Sequence, residues 1–207
     1  MRKTKKQRKR EKQIRLKNKK LVKKYYWLVP RNCFTGKPLA DYDYSFIEWG
    51  WSDGWDKAFG NMFMKELGEE IKRIGQKDFQ ILQIKEKYGR CCCYTSGTSK
   101  KAFRIIGKYE SLSQNICYFC GRPDVPITNA GWILPMCKNC YEKKWRRGSK
   151  LEYEDIIEDD NPRMADTYTV RQFGENGYKD IKYDYSDTTN KIRNWWNKNH
   201  PEDKVNV

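Results

Sequence analysis

The chain of 207 residues is strongly basic, with 43 Lys and Arg against 27 Asp and Glu and a formal net charge of +16. Hydrophobic residues make up only 38%, below the roughly 45–50% of an ordinary globular chain, whereas aromatic residues reach 14%. We therefore expect one modest, aromatic-rich folded domain with polar ends. The sequence lacks the long apolar run of a transmembrane helix, and its basic start lacks the apolar stretch of a secretory signal.

Cysteine and histidine usage limits the chemistry. Because no export signal is expected, the eight cysteines are interpreted as reduced thiols and metal ligands in an intracellular protein. The single histidine, His200, excludes HNH-type nucleases, and neither a zinc-deaminase motif nor a P-loop motif occurs. We therefore expect a non-catalytic protein. A metal-dependent nuclease built on Asp41, Asp43, Glu48 or Asp53 is the less favoured alternative.

The excess positive charge is concentrated in residues 1–24, which carry 14 basic side chains and one acidic side chain. Such a density of like charge does not fold alone, although the residue types favour a helix once a polyanion neutralises them. The pattern is typical of phosphate contacts with DNA or RNA. An acidic protein partner and a solvated tail are the alternatives, and no membrane contact is expected because an aromatic face is absent. The candidate nucleic-acid contacts are Lys5, Lys6, Arg8, Lys9 and Arg10.

The next part of the chain predicts a small α+β core. Residues 25–54 show no helical period and are interpreted as an extended, aromatic-rich segment. Residues 54–75 carry an apolar stripe at spacings of three and four, which predicts a helix. Phe79–Tyr88 and Cys91–Thr95 are predicted to pair as a hairpin, and a second helix follows over about 98–115.

Three consecutive cysteines, Cys91, Cys92 and Cys93, fall in the second strand of this hairpin. Adjacent residues on a strand point to opposite faces, so these thiols cannot easily converge on one ion. We interpret them as free thiols.

The strongest motif is the stretch CYFCGRPDVPITNAGWILPMCKNC at residues 117–140, in which sixteen residues separate two C-x2-C pairs. This spacing is typical of a site where two knuckles hold one tetrahedral Zn2+. Four sulfur ligands close the coordination sphere, so the ion is expected to be structural. The order knuckle, hairpin, knuckle, helix favours a treble-clef or zinc-ribbon module. The predicted ligands are Cys117, Cys120, Cys137 and Cys140.

A basic helix is predicted directly after the last of these cysteines. It either contacts phosphates or is a solvated helix face, and the sequence does not separate the two. The candidate contacts there are Lys143, Lys144, Arg146 and Arg147. Residues 151–160 then hold six acidic side chains and are interpreted as a linker or as a segment that folds back on the basic tail. Trp195 and Trp196 are expected to dock either on the core or on another protein.

The predicted fold class is thus α+β, with a helix, a β-hairpin and a second helix forming a core beside the four-cysteine module. The expected organisation has four parts. They are a basic tail (1–24, helical or disordered), an aromatic-rich α+β domain (25–115), a zinc module (116–147), and an acidic linker with a C-terminal extension (148–207).

From about Lys24 to Trp145 the sequence resembles a family of small proteins encoded by phages and prophages of low-GC bacteria. The stretches that carry the resemblance are LVPRNCFTGKPLADYDYS, DGWDKAFG, ILQIKEKYG and CYFCGRP…GWILPMCKNC. The resemblance implies a fold, a zinc site and the cytoplasm of a bacterial host, but it implies no activity. The resulting hypothesis is a phage accessory protein that binds nucleic acid or a ribonucleoprotein through its tail and finger. The alternative is an adaptor or inhibitor of a host protein that uses exposed Trp and Tyr.

Overall fold

The computed structural model describes residues 4–29, 35, 37–38, 52–75, 77–146, 150–159, 162–174 and 177–207. The described residues form an α+β structure, as the sequence predicts, with three separate two-stranded antiparallel hairpins among the helices. No helix in this part of the chain is long and apolar enough to cross a bilayer. Some residues named above lie outside the described set, namely Asp41, Asp43, Glu48 and Arg147.

The basic tail forms helix α1 (Lys5–Lys24), which leads into a 3-10 turn at Tyr26–Leu28. Leu21 and Val22, in the last turn of the helix, pack against the core. Leu16, one turn earlier, is 53% exposed. The apolar positions therefore hold the C-terminal end of α1 to the body of the protein, and Leu16 does not extend that contact.

Helix α2 consists of three consecutive stretches, Asp53–Trp55, a π-helical turn at Asp56–Gly60, and Asn61–Ile74. Ser52 caps its start, because the Ser52 hydroxyl accepts a hydrogen bond of 3.0 Å from the Trp55 N–H. Gly75 ends it in the left-handed conformation, with φ of 63°. The predicted apolar stripe is largely buried, through Trp55, Phe59, Phe63, Leu67 and Ile71.

Strands β1 (Gln80–Lys87) and β2 (Arg90–Ser96) form the predicted hairpin, with Ile84 opposite Cys93. Helix α3 (Lys100–Ser113) packs against it, and the Cys93 N–H donates to the Glu110 carboxylate at 2.6 Å. The main core lies between α2, α3 and this hairpin. In its centre the Tyr109 ring lies 5.5 Å from the ring of Phe59 and 5.1 Å from that of Phe63.

The four-cysteine module, residues 116–146, has a small core of its own. Its hairpin pairs β3 (Ile127–Asn129) with β4 (Ile133–Pro135). A short helix, α4, follows as Lys138–Cys140 and a π-helical turn at Tyr141–Trp145. The acidic residues after it pack on this module, because Tyr153 and Ile156 are buried in its core.

The C-terminal residues add a third hairpin, β5 (Thr167–Gly174) with β6 (Gly177–Asp184), and helix α5 (Ser186–Asn199). Tyr185 and Ile192 are buried in the main core. The described residues between 150 and 207 thus contribute buried side chains to the folded body. Trp196 is buried within this body, and its indole N–H donates to the Asp203 carbonyl oxygen at 2.6 Å.

A buried arginine joins helix α5 to the four-cysteine module. The Arg193 side chain is 1% exposed and makes a bidentate pair with Asp124, at 2.9 and 3.0 Å. Its guanidinium also lies 3.6 Å from the Asp166 carboxylate. A buried charge is tolerated only when its partners are in place, so this pair fixes how α5 lies against the module.

We expect Arg193→Ala to lower the free energy of unfolding by about 3–5 kcal/mol, because it leaves the Asp124 carboxylate without its cation. Urea denaturation of the purified protein measures this change. Arg171→Ala is the matched control, since Arg171 makes the same bidentate pair with Asp180 on an exposed hairpin. The control should cost no more than about 1 kcal/mol. Equal losses in the two variants would contradict the role assigned to Arg193.

Candidate metal centre

The structure brings the four predicted ligands together. Cys117 and Cys120 lie in the turn after α3, and Cys137 and Cys140 lie at the two ends of the first turn of α4. The β3–β4 hairpin reverses the chain between the two pairs. The sulfur atoms of all four residues lie within 4.8 Å of one another. Among the described residues this is the one cluster of His, Cys, Asp or Glu that could hold a metal ion.

The geometry fits a tetrahedral ion. The Sγ atoms of Cys120 and Cys137 are 3.7 Å apart, and sulfur atoms at about 2.3 Å from a tetrahedral zinc ion would be about 3.8 Å apart. Cys117, Cys137 and Cys140 are buried, and Cys120 is half-buried. The Cys137 N–H also points at the Cys117 sulfur, at 3.5 Å. The four side chains are therefore preorganised around a single point.

The four sulfur atoms compete for negative charge. Burial raises the pKa of the Cys117 thiol, but hydrogen bonds from the other three thiols outweigh burial and lower this pKa well below its ordinary value. The same hydrogen bonds to Cys117 raise the pKa of Cys120, Cys137 and Cys140. Hydrogen bonding among the four thiols thus favours the thiolate form at Cys117 and disfavours it at the other three cysteines. A divalent cation removes the competition, because it stabilises all four thiolates at once.

The start of α2 packs directly against the first cysteine knuckle. The Gly54 N–H donates to the Tyr118 carbonyl oxygen at 3.1 Å. A Cβ atom on Gly54 would lie 2.2 Å from the Cys117 carbonyl oxygen, and one on Gly121 would lie 2.7 Å from the Gly54 carbonyl oxygen. Two glycines are therefore required for this approach, and Gly121 also has a φ of 89°, which favours glycine.

Two buried side chains reinforce the same contact region. The Trp55 indole N–H donates to the Ile116 carbonyl oxygen at 3.0 Å, next to the first ligand. On the other side, the Tyr153 hydroxyl donates to the Met136 carbonyl oxygen at 2.5 Å, next to the third ligand. Burial, with the nearby cysteines, raises the pKa of the Tyr153 phenol, so it remains a neutral donor. Both side chains thus fix the backbone next to the predicted metal ligands.

The predicted basic surface on α4 is partly neutralised by the acidic residues that follow it. Arg146 pairs with Glu152, and Lys138 pairs with Glu154 at 2.7 Å. Trp145 is half-buried, and its indole N–H donates to the Ala130 carbonyl oxygen at 3.1 Å. Of the four candidate contacts, Lys143 and Lys144 are exposed, Arg146 is half-buried, and Arg147 lies outside the described residues.

The five candidate contacts in the tail all lie in the first two turns of α1, far along the chain from its packed last turn. Lys5, Arg8 and Lys9 are exposed, whereas the structure does not describe the side chains of Lys6 and Arg10. Asp53, from the nuclease alternative, lies in the first turn of α2.

The three consecutive cysteines do not form a second metal site. Cys91 and Cys93 pack in or against the main core, and burial raises the pKa of both thiols well above the ordinary value. Cys92 is half-buried, and its pKa is also raised by burial. Such thiols stay protonated, in agreement with their interpretation as free thiols.

Several residues that support the site escape sequence reasoning. One indirect indication of the close contact at α2 is Gly54 in the sequence DGW, because a helix tolerates a side chain in its first turn and a glycine there is not otherwise needed. An indirect indication of a buried ion pair is Arg193, because it lies between Ile192 and Trp196 on the buried side of α5. The sequence does not identify the partner of Arg193, because Arg193 and Asp124 are 69 residues apart.

We expect Gly54→Ala to lower the free energy of unfolding by about 3 kcal/mol or more, since a methyl group at this position overlaps the Cys117 carbonyl oxygen. Displacement of the knuckle should also speed the release of a bound metal ion to a chelator. Gly131→Ala is the control within the module, because its Cβ would meet nothing within 4 Å and only its φ of 85° is unfavourable. That control should cost about 1–2 kcal/mol and leave metal release unchanged. Unchanged release in Gly54→Ala would contradict the contact.

Comparison with known proteins leaves the residues themselves as the basis for a function. No family model, curated protein or solved structure matches the chain. Function is therefore inferred from the four cysteines and from the distribution of charge.

Proposed function

We propose that the chain is a non-catalytic, zinc-stabilised accessory protein that binds nucleic acid or a ribonucleoprotein through α1 and the four-cysteine module. The observation that carries this proposal is helix α1, whose 20 residues include twelve Lys and Arg against one Glu. As a phage accessory protein it would act in the cytoplasm of its bacterial host. The proposal assigns a structural role to the metal and the binding role to positive charge.

The cysteine geometry supports zinc in a treble-clef or zinc-ribbon arrangement. Four thiolates in a tetrahedral cluster are the usual donor set of structural Zn2+. The order of knuckle, β3–β4 hairpin, knuckle and α4 supports the same assignment. Four sulfur ligands leave no position for a substrate, so this centre would contribute folding free energy rather than catalysis.

We expect one zinc ion per chain by elemental analysis of the purified protein. Cys137→Ser should lose most of this zinc and unfold the module, because structural zinc supplies on the order of 10 kcal/mol in isolated fingers. Cys92→Ser is the matched control and should keep a full complement of metal. Another metal, or an equal zinc content in Cys137→Ser, would contradict the assignment.

The dimensions of α1 suit a polyanion. A 20-residue helix is about 30 Å long, close to one turn of a nucleic-acid duplex. Its described basic side chains are exposed along its whole length, from Lys5 to Lys24. Among the side chains of α1 that the structure describes, only Leu21 and Val22 pack against the core. The exposed lysines and arginine of the earlier turns are thus available for phosphate contacts.

The four-cysteine module would supply a secondary contact. The ion pair of Arg146 with Glu152 lowers the net charge of that face in the free protein. The exposed Lys143 and Lys144 would carry the phosphate contacts of the module. We therefore assign the larger part of the affinity to α1.

We expect the affinity for duplex DNA or RNA to fall with salt along a log–log slope of roughly −6, because about half of the 14 basic side chains of residues 1–24 would neutralise phosphates. Simultaneous replacement of five basic side chains by neutral ones should make this slope less steep by several units, whatever the sequence of the duplex. The five side chains are those of Lys5, Lys6, Arg8, Lys9 and Arg10. Fluorescence anisotropy at a series of salt concentrations measures the slope.

Two controls separate the contribution of residues 1–24 from that of basic residues elsewhere in the chain. Replacement of five basic residues on the folded body by Gln should change the slope by much less. Removal of residues 1–24 should abolish most of the binding while the zinc content is unchanged. A slope near zero for the intact chain would show that α1 is a solvated extension.

A second candidate function, a protein-binding adaptor, is favoured by one specific observation. Trp132 and Tyr88, at the tips of two neighbouring hairpins, are 57% and 72% exposed. Glu86 accepts from the Trp132 indole N–H at 2.9 Å and from the Gly89 N–H at 2.7 Å, which fixes both tips. Exposed, rigid aromatic side chains are typical of protein contacts. A host protein that co-purifies after nuclease treatment, and is lost in Trp132→Ala, would support this function.

A further inference from the structure

A cavity lies where α1 joins the folded body. It has a volume of about 610 Å³ and is lined by the 3-10 turn and by one side of α2. Its aromatic wall consists of Tyr25, Tyr26 and Trp27. The rings of Tyr25 and Trp27 are 5.2 Å apart, and Trp27 is held against Phe79 at 5.7 Å. Ring contacts therefore hold Tyr25 and the buried Trp27 in place, and Tyr26 is the exposed side chain of this wall.

The rim of the cavity is positively charged. Its lining includes four lysines and one acidic residue, Glu69, which lies 3.9 Å from the Lys65 ammonium. Lys72 and Lys77 are exposed at the rim. The fourth, Lys24, is the last residue of α1 and lies over the Tyr25 ring, 5.0 Å from its centroid. The charge of α1 is thus continuous with the mouth of the cavity.

We propose that this cavity binds an unstacked base of single-stranded nucleic acid, while the lysines at its rim hold the neighbouring phosphates. The proposal rests on the proposed function and adds single strands to its substrates. A base needs an aromatic face for stacking and cations for its phosphates, and both occur here within one cavity. A purely apolar peptide or acyl chain would gain nothing from the lysines.

Tyr26 is the side chain that tests the stacking contact. It is 49% exposed, so its removal should disturb the core little. Gly68 keeps the wall in place, because a Cβ at this position would lie 2.8 Å from the Tyr25 ring. The cavity is thus sensitive to small changes on either side. Tyr178, which is 75% exposed on β6, provides a control of the same residue type.

The experiment compares two fluorescent 12-unit probes on the full-length, zinc-loaded chain. One probe is oligothymidylate, and the other is an abasic oligomer with the same phosphates. We expect the chain to bind oligothymidylate about ten-fold more tightly, which is in the range of one stacked base. Tyr26→Ala should remove this preference, and Tyr178→Ala should keep it. The double variant Lys72→Gln/Lys77→Gln should lower the affinity for both probes by the same factor.

Each other result overturns a defined part of the proposal. Equal affinity of the two probes for the unmodified chain would show phosphate contacts alone, and the proposed nucleic-acid function would survive. A base preference that persists in both Tyr26→Ala and Gly68→Ala would place the stacking site elsewhere. Failure of both probes and of the duplex to bind would refute the proposed function as well. Thermal unfolding and zinc content verify that each variant is folded.

Discussion

The close approach of α2 to the first cysteine knuckle is the constraint on which the rest of the structure depends. Gly54 and Gly121 permit backbone contact there, and the Trp55 indole N–H holds the carbonyl oxygen just before the first ligand. From the same stretch of chain, Arg122 pairs with Asp203 at 2.9 Å, and Asp124 pairs with Arg193. The segment of residues 116–124 thus contacts the start of α2, helix α5 and the C-terminal residues. Its shape is set by the ligands, so a metal ion there would stabilise the main core as well as the small one.

Charge is divided unequally between α1 and the folded body. The tail of 24 residues holds a net charge of +13, whereas the other 183 residues hold only +3. Within the body, acidic side chains are placed beside basic ones, as Glu152 and Glu154 are beside Arg146 and Lys138. The near balance of basic and acidic side chains limits nonspecific contacts over the surface of the folded body. The field of α1 is therefore the main electrostatic signal that an approaching polyanion would meet.

Local patterns predicted the elements, and long-range contacts escaped prediction. The C-x2-C pairs indicated the four ligands because knuckle geometry is encoded within four residues, and the stripe from Trp55 to Ile71 indicated α2 because its period is local. The acidic region after α4 was different. Tyr153 and Ile156 anchor it to the four-cysteine module, but two apolar side chains among many acids do not form a period. The Arg193–Asp124 pair likewise needs the tertiary fold to bring its partners together.

The attachment of α1 changes what its charges can do. A free tail would shift its register along a polyanion, and any lysine could replace its neighbour. Here Leu21 and Val22 hold the last turn, and Trp27 is buried immediately after it, so the position of Lys24 is set by the body. Basic residues near Lys5 keep the freedom of a distant helix end, whereas those near Lys24 keep a fixed distance from the cavity. Under the proposed function the two ends of α1 would have different roles in binding. The first turns would supply affinity that is independent of sequence, and the last turn would present the strand to the aromatic wall.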